Sequence, residues 1–364
     1  MTDSLLFQSY KLGAVELKNR LVMAPMTRSR ALNNVPNALM AEYYGQRAGA
    51  GLIVTEGTSP SPDGLGYCRI PGLFSRAQVE GWKGVTRAVH DGGGRIFAQL
   101  MHTGRIGHPA NLPAGAALLA PSAVKAAGQI WTDALGQQNY PVPAAMSPEQ
   151  VRRARGEYAD AAANAVEAGF DGIELHGANG YLLEQFLSPA SNRRTDAYGG
   201  SVENRCRFLL ETAEGAVKAI GKGKVGVRLS PYGVASDMPH YPEIDETYRY
   251  LAARLNDLQL LYVHLVDHSA MGAPAVPAEI KKAVRENFRG TLILSGGYDR
   301  ERAEADLRGG RADLIAIGRP FIGNPDLPRR LERGWPLAAA DQGTFYTPGG
   351  KGYTDYPAYA AAAR

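Results

Sequence analysis

Phe170-Asp171-Gly172-Ile173-Glu174-Leu175 runs directly into His176-Gly177-Ala178-Asn179-Gly180-Tyr181. The first six residues have strand length and carry Phe170, Ile173 and Leu175, and the Gly-Ala and Asn-Gly pairs beyond them turn the chain. An imidazole, an amide and a phenol therefore leave the end of one strand together, where they face a ligand more readily than a core. A His and an Asn three residues apart across a turn can both donate to one carbonyl oxygen. A Tyr two residues further on can supply a proton from another side, so the stretch points to polarisation of a carbonyl substrate.

Seven similar runs lie outward from it: Arg20 to Ala24, Gly51 to Glu56, Arg95 to Met101, Lys224 to Leu229, Leu260 to Val266, Gly290 to Leu294 and Ala312 to Ile317. Each is followed by a turn and, as a rule, by a helical pattern. Eight such units predict an α/β fold of the (β/α)8 TIM-barrel type, one domain over residues 1–364. Ser147-Pro148-Glu149-Gln150 before Val151 to Glu167 predicts a helix with a Ser147 cap, Pro148 at the first position, a capping box closed by Gln150 and a stop at Gly169. Gly92-Gly93 and Gly309-Gly310 predict helix ends just before the third and eighth strands. Phe7 to Leu17 reads as an N-terminal β-hairpin plugging the barrel floor. His102 to Ala145 is a long Pro/Ala/Gly-rich excursion after strand 3, with short strands at Gln129 to Thr132 and Gln138 to Val142. Ser230 to Pro242 reads as a lid and the tail Ala358 to Arg364 as frayed.

Composition bounds the function. Of the 364 residues, 45% are hydrophobic, enough for one large core, and 40 Lys and Arg against 36 Asp and Glu leave a net charge of +4 with no long run of like charges. Neither a nucleic-acid nor a membrane partner is supported, and no apolar run approaches the roughly 20 residues that span a bilayer. Two cysteines, Cys68 and Cys206, are too few for a disulfide framework, a four-thiolate iron–sulfur cluster or an all-thiolate zinc site. No metal is expected, and a reducing cytoplasm fits.

Barrel chemistry gathers at the C-terminal strand ends. There stand Thr27, Gly57, Gln99, His176, Asn179, Arg228, Ser295-Gly296-Gly297 and Gly318-Arg319. Glycine turns with a fixed cation, as in Ser295-Gly296-Gly297 and Gly318-Arg319, suit a phosphate. An arginine inside a strand needs an anionic or strongly accepting partner. An isoalloxazine ring is one, with a pyrimidine edge that Gln99 can pair and a carbonyl that Thr27 can reach. A flavin-free phosphosugar aldolase or isomerase is the competing reading; near the strand ends it has only Glu56, Glu174 and Lys224 to offer. His264 and His268, near the sixth strand, read as structural or solvated.

APMTRSRA from Ala24, AQLMHTGR around Gln99, ELHGANGYLLEQFLSPASNRRTDAYGGSVENRCRF from Glu174, VRLSP at Arg228, SGG at Ser295, IAIGRPFIGNPDLP at Ile315 and YTDYP at Tyr353 together resemble the Old Yellow Enzyme family of FMN-dependent ene-reductases, in family order and over nearly the whole chain. Thr27 places the resemblance in its Thr branch, near N-ethylmaleimide reductases. The resemblance implies that Pro25, Met26, Thr27, Gly57, Gln99, Arg228, Ser295, Gly296, Gly297, Gly318 and Arg319 bind FMN. It implies that His176 and Asn179 hold a substrate carbonyl, that Tyr181 donates a proton and that Tyr67, Met101 and Tyr346 line the pocket. Met101 stands where many relatives have Trp, which implies a wider pocket. The implied cycle is ping-pong: NADPH or NADH reduces the flavin, and an enone, enal or maleimide then takes the hydride on its β-carbon and a proton on its α-carbon. Nitrate esters or nitroaromatics are alternative oxidants at the same site. Monomer and homodimer are both open.

Overall fold

The computed structural model describes residues 4–359. Eight parallel strands close a barrel in sequence order: Leu21–Met23, Leu52–Val54, Ile96–Leu100, Gly172–Gly177, Val225–Leu229, Tyr262–Val266, Thr291–Ser295 and Leu314–Ile317, the last pairing with the first. Strand alternation sorts their side chains. Leu21, Ile53, Ala98, Leu175, Val227, Val263, Leu292 and Ile315 join the shell packed against the helices, while Leu52, Phe97, Tyr262, Ile293 and Leu314 fill the barrel interior.

The helix over Pro148–Glu167 has its capping box, with Gln150 N–H donating to Ser147 Oγ and Ser147 N–H to Gln150 Oε1. Helices Arg76–Asp91 and Arg300–Arg308 end at the predicted glycine pairs, and the second glycine of each takes a left-handed conformation. The hairpin Tyr10–Leu12 with Val15–Leu17 places Leu12 and Leu17 in the interior cluster, closing the barrel floor. In the excursion, Gln129–Thr132 pairs antiparallel with Gly136–Asn139. Among the described residues no helix is long and apolar enough to cross a membrane.

Three expectations are corrected. The fourth strand extends through Gly177, so His176 lies within it, hydrogen-bonded in register opposite Arg228. Ser295 closes the seventh strand instead of following it. Residues 230–242 do not cover the barrel mouth. Arg105 donates to the Ser236 and Asp237 carbonyls and the Asp237 carboxylate accepts from Ala127 N–H, so side-chain bonds tie the loop to the excursion, and it contributes no residue to the main cavity. Of the tail, Ala360 to Arg364 lie outside the described residues, whereas Tyr359 stacks on Trp335 at 4.7 Å between ring centres and donates its N–H to Asp326.

Candidate active site

The alternation that fills the barrel floor with apolar side chains places Gln99, Glu174, Arg228 and His264 inward on the strands, directly above it. Glu174 is the hub of this polar layer. Its carboxylate accepts from Gln99 Nε2 at 2.8 Å, Tyr262 Oη at 3.1 Å and His264 Nδ1 at 2.9 Å. Burial alone would raise the Glu174 carboxyl, but His264, Arg228 and the Gln99 amide together hold it below the usual carboxylate range. Burial pushes His264 down as well, so the pair is a neutral imidazole donating to a carboxylate. Tyr262 reaches this hub because residue 226 is Gly: a Cβ there would lie 2.3 Å from the tyrosine ring.

Two consequences concern the space above. Gln99 spends its amide N–H on Glu174 and keeps its carbonyl oxygen as an acceptor. Arg228 is buried, has no hydrogen-bond partner for Nε and forms no ion pair among the described residues. A guanidinium held in that state demands an electron-rich partner from outside the chain.

A cavity of about 870 Å³ opens over the layer. Pro25, Met26, Thr27, Gln99, Arg228 and Arg319 are among the residues that line it, as are Tyr67, Met101, His176, Asn179, Tyr181 and Tyr346. Gly57, Ser295, Gly296, Gly297 and Gly318 do not line it. Gly57 makes room for Met101, whose sulfur would sit 2.4 Å from a Cβ at that position. Gly296 and Gly297 both have positive φ, 139° and 64°, and turn the backbone beyond the seventh strand, with Arg302 donating to the Gly296 carbonyl. The Ser295 hydroxyl is occupied by His264 Nε2 at 3.1 Å and the Leu265 carbonyl at 3.2 Å.

The strand-to-turn stretch delivers three polar groups to the cavity. His176 projects from the strand, and among the described residues no hydrogen bond reaches its buried Nδ1. Burial, reinforced by Arg228, drives its basicity well below the ordinary histidine value, so the ring is a neutral imidazole with a donor to spare. Asn179 adopts left-handed φ (+59°), a conformation that asparagine tolerates because its short amide can bond locally. Its N–H donates to Ser230 Oγ at 2.9 Å, and Ser230 in turn donates to Glu184 at 2.6 Å. Tyr181 follows, its ring edge-on to His176 at 4.8 Å and its hydroxyl 3.1 Å from that of Tyr67. Burial pushes the Tyr181 phenol up to about 12, partly opposed by the hydrogen bond with Tyr67.

Residues that the sequence did not single out complete the walls. Ile130, Trp131 and Asp133 come from the excursion hairpin, Tyr140 from just beyond it, and Phe345 and Thr347 from the C-terminal segment. Tyr346 sits at the rim, 61% exposed, whereas Tyr67 is partly buried. Cys68 borders the cavity, but burial raises its thiol, which disfavours a nucleophilic thiolate. His268, set aside from sequence, bonds Asn179 Oδ1 at 2.9 Å. No local motif signals that contact, since 89 residues separate the two. None of the aldolase candidates borders the cavity: Glu56 accepts from Tyr44 and Arg28, Glu174 is saturated, and Lys224 precedes the fifth strand at the opposite end of the barrel.

The sequence pattern of the NADH:flavin oxidoreductase / NADH oxidase family matches residues 5–338. A probable flavin mononucleotide-dependent alkene reductase of Leishmania infantum is 41% identical over 95% of both chains. The putative 12-oxophytodienoate reductase 3 of Oryza sativa subsp. japonica is 42% identical over 97% of this chain and 92% of its own. Among solved structures, morphinone reductase superposes with a TM-score of 0.94 at 42% identity, covering 98% of this chain and 97% of that one. The Old Yellow Enzyme homologue from Zymomonas mobilis gives 0.93 at 42% identity, covering 97% and 99%.

Proposed function

Since the chain belongs to the NADH:flavin oxidoreductase / NADH oxidase family, FMN-dependent oxidoreductases, we propose that it reduces the activated C=C bond of α,β-unsaturated carbonyl compounds at the expense of NAD(P)H. The observation that carries this reading is the convergence of a neutral His176, Asn179 and a protonated Tyr181 on one cavity above an unsatisfied, buried Arg228.

The residues present fit FMN. The orphaned Arg228 and the free acceptor of Gln99 complement the acceptor and donor edge of an isoalloxazine, Thr27 offers a hydroxyl, and Arg319 offers a cation for the phosphate, whereas the glycine turns at Gly296-Gly297 and Gly318 stand outside the cavity lining. When bound, FMN supplies a two-electron hydride carrier between the nicotinamide and the double bond. The chain's own side chains do the rest. His176 and Asn179 donate to the substrate's carbonyl oxygen and draw electron density from the β-carbon, each such donor being worth about 2.7–4 kcal/mol in acyl-transfer sites. Tyr181 gives its proton to the α-carbon. A phenol made less acidic by burial keeps that proton until a strongly basic carbon develops beside it, and Tyr67 is within hydrogen-bond distance to return one.

The sign of the pH dependence follows. Transfer from Tyr181 needs the protonated phenol, so its rate is flat below the phenol's pKa and falls above it. Because burial raises that value to about 12, cyclohexenone reduction is expected to show no alkaline limb from Tyr181 up to about pH 10, the ordinary tyrosine value. Stopped-flow reoxidation across that range tests this, and a tenfold fall per pH unit beginning below pH 10 would contradict it.

The overall reading is tested by the visible spectrum of the purified protein under anaerobic conditions. Flavin bands should bleach with NADPH or NADH and return with cyclohexenone. A protein that takes up no flavin even when FMN is supplied would refute the reading.

A further inference from the structure

We infer that His268 is a positioning residue for substrate binding, its Nε2–H holding the Asn179 carboxamide so that the NH2 face is turned to the cavity; this rests on Asn179 being a ligand of the substrate oxygen. A carboxamide is nearly symmetric in shape but opposite in polarity at its two ends. A freely rotating Asn179 would present its oxygen to a substrate oxygen as often as its nitrogen. Backbone bonding does not settle the choice, because the Asn179 N–H and its Ser230 partner fix only where the residue stands. Among the described residues the side chain's orientation is set by one contact, His268 Nε2 to Asn179 Oδ1 at 2.9 Å. With Oδ1 engaged there, Nδ2 has no hydrogen-bond partner among the described residues and is available to the cavity that Asn179 lines.

The loop carrying His268 is built to hold it. Asp267, the preceding residue, accepts from Ser269 N–H at 2.9 Å and from Lys281 Nζ at 2.7 Å. The His268 carbonyl accepts from Met271 N–H at 2.8 Å, closing a short turn that ends at left-handed Gly272. The ring is partly buried, and burial together with the Arg228 and Arg319 charges keeps it neutral, lowering it to about 4 against the opposing pull of Asp267. A neutral imidazole has one N–H, and a carboxamide oxygen as partner requires that it stand on Nε2.

The test measures the dissociation constant of 4-hydroxybenzaldehyde from the perturbation of the flavin spectrum, with flavin content and melting temperature recorded for every variant. His268→Leu keeps the volume and removes the donor, and is expected to weaken binding about tenfold with flavin retained. His268→Gln restores an N–H at similar reach and is expected to bind within about threefold of the wild type. In an Asn179→Ala background, His268→Leu should add nothing, because the group it orients is gone. Wild-type affinity in His268→Leu, or the same loss in both backgrounds, overturns the inference while leaving the site intact. Wild-type affinity in Asn179→Ala overturns both the inference and the assignment of Asn179 beneath it.

Discussion

Tyr181→Phe is expected to slow the reduction of cyclohexenone by about 10²–10⁴-fold, the usual contribution of a positioned general acid, while bleaching of the flavin by NAD(P)H keeps its wild-type rate. The substitution removes one oxygen and leaves the ring that packs edge-on against His176 and near Tyr67. The partly buried phenol is placed in the cavity wall, and the hydroxyl within hydrogen-bond distance of it, Tyr67, is bonded to Tyr181 itself. Stopped-flow measurement of the two half-reactions separately is decisive. Slowing confined to the enone half supports Tyr181 as the acid. An unchanged enone half would assign the proton to another group, and equal slowing of both halves would mean the cavity had deformed.

His176→Ala with Asn179→Ala removes both carbonyl donors and is expected to cost at least about 10²–10³-fold in enone turnover, the loss recorded for a single oxyanion donor. Phenols should also bind weakly. FMN should remain bound, because the groups proposed to hold it, Arg228, Gln99 and Thr27, stand on other strands and loops. The single variants should not add up to the double one, since the two donors serve one oxygen. Loss of flavin from the double variant would move His176 to the cofactor side of the cavity and end the present assignment.

Periodicity made the barrel legible. All eight strands fall within the runs read from sequence, give or take a residue or two, because short apolar runs bounded by glycine turns and alternating with capped helices leave little else for the chain to do. The position of His176 inside its strand escaped that reading, since a glycine at 177 marks a turn by composition yet here pairs with Leu229 in the sheet. The loop at 230–242 escaped it too: its glycine and proline content shows irregularity but carries no trace of Arg105, whose guanidinium pins the loop from the excursion after the third strand.

The site divides the same way. His176, Asn179, Tyr181, Gln99 and Arg228 could be picked out because each is a polar group on a strand, or just beyond its C-terminal end, where a core residue would be apolar. Their protonation states could not, for these depend on burial and on charges brought in from other strands: Arg228 opposite His176, and His264 opposite Arg228 on the next strand. The Glu174 hub joins residues of three strands, and the His268 contact with Asn179 spans 89 positions. By itself, then, the sequence determined the barrel, the end at which chemistry gathers and the residue types delivered there, since all three are written in local pattern. Tertiary structure alone decided which of those groups are neutral, which are left without a protein partner and which way an amide faces, because desolvation and long-range hydrogen bonds exist only once distant segments have packed.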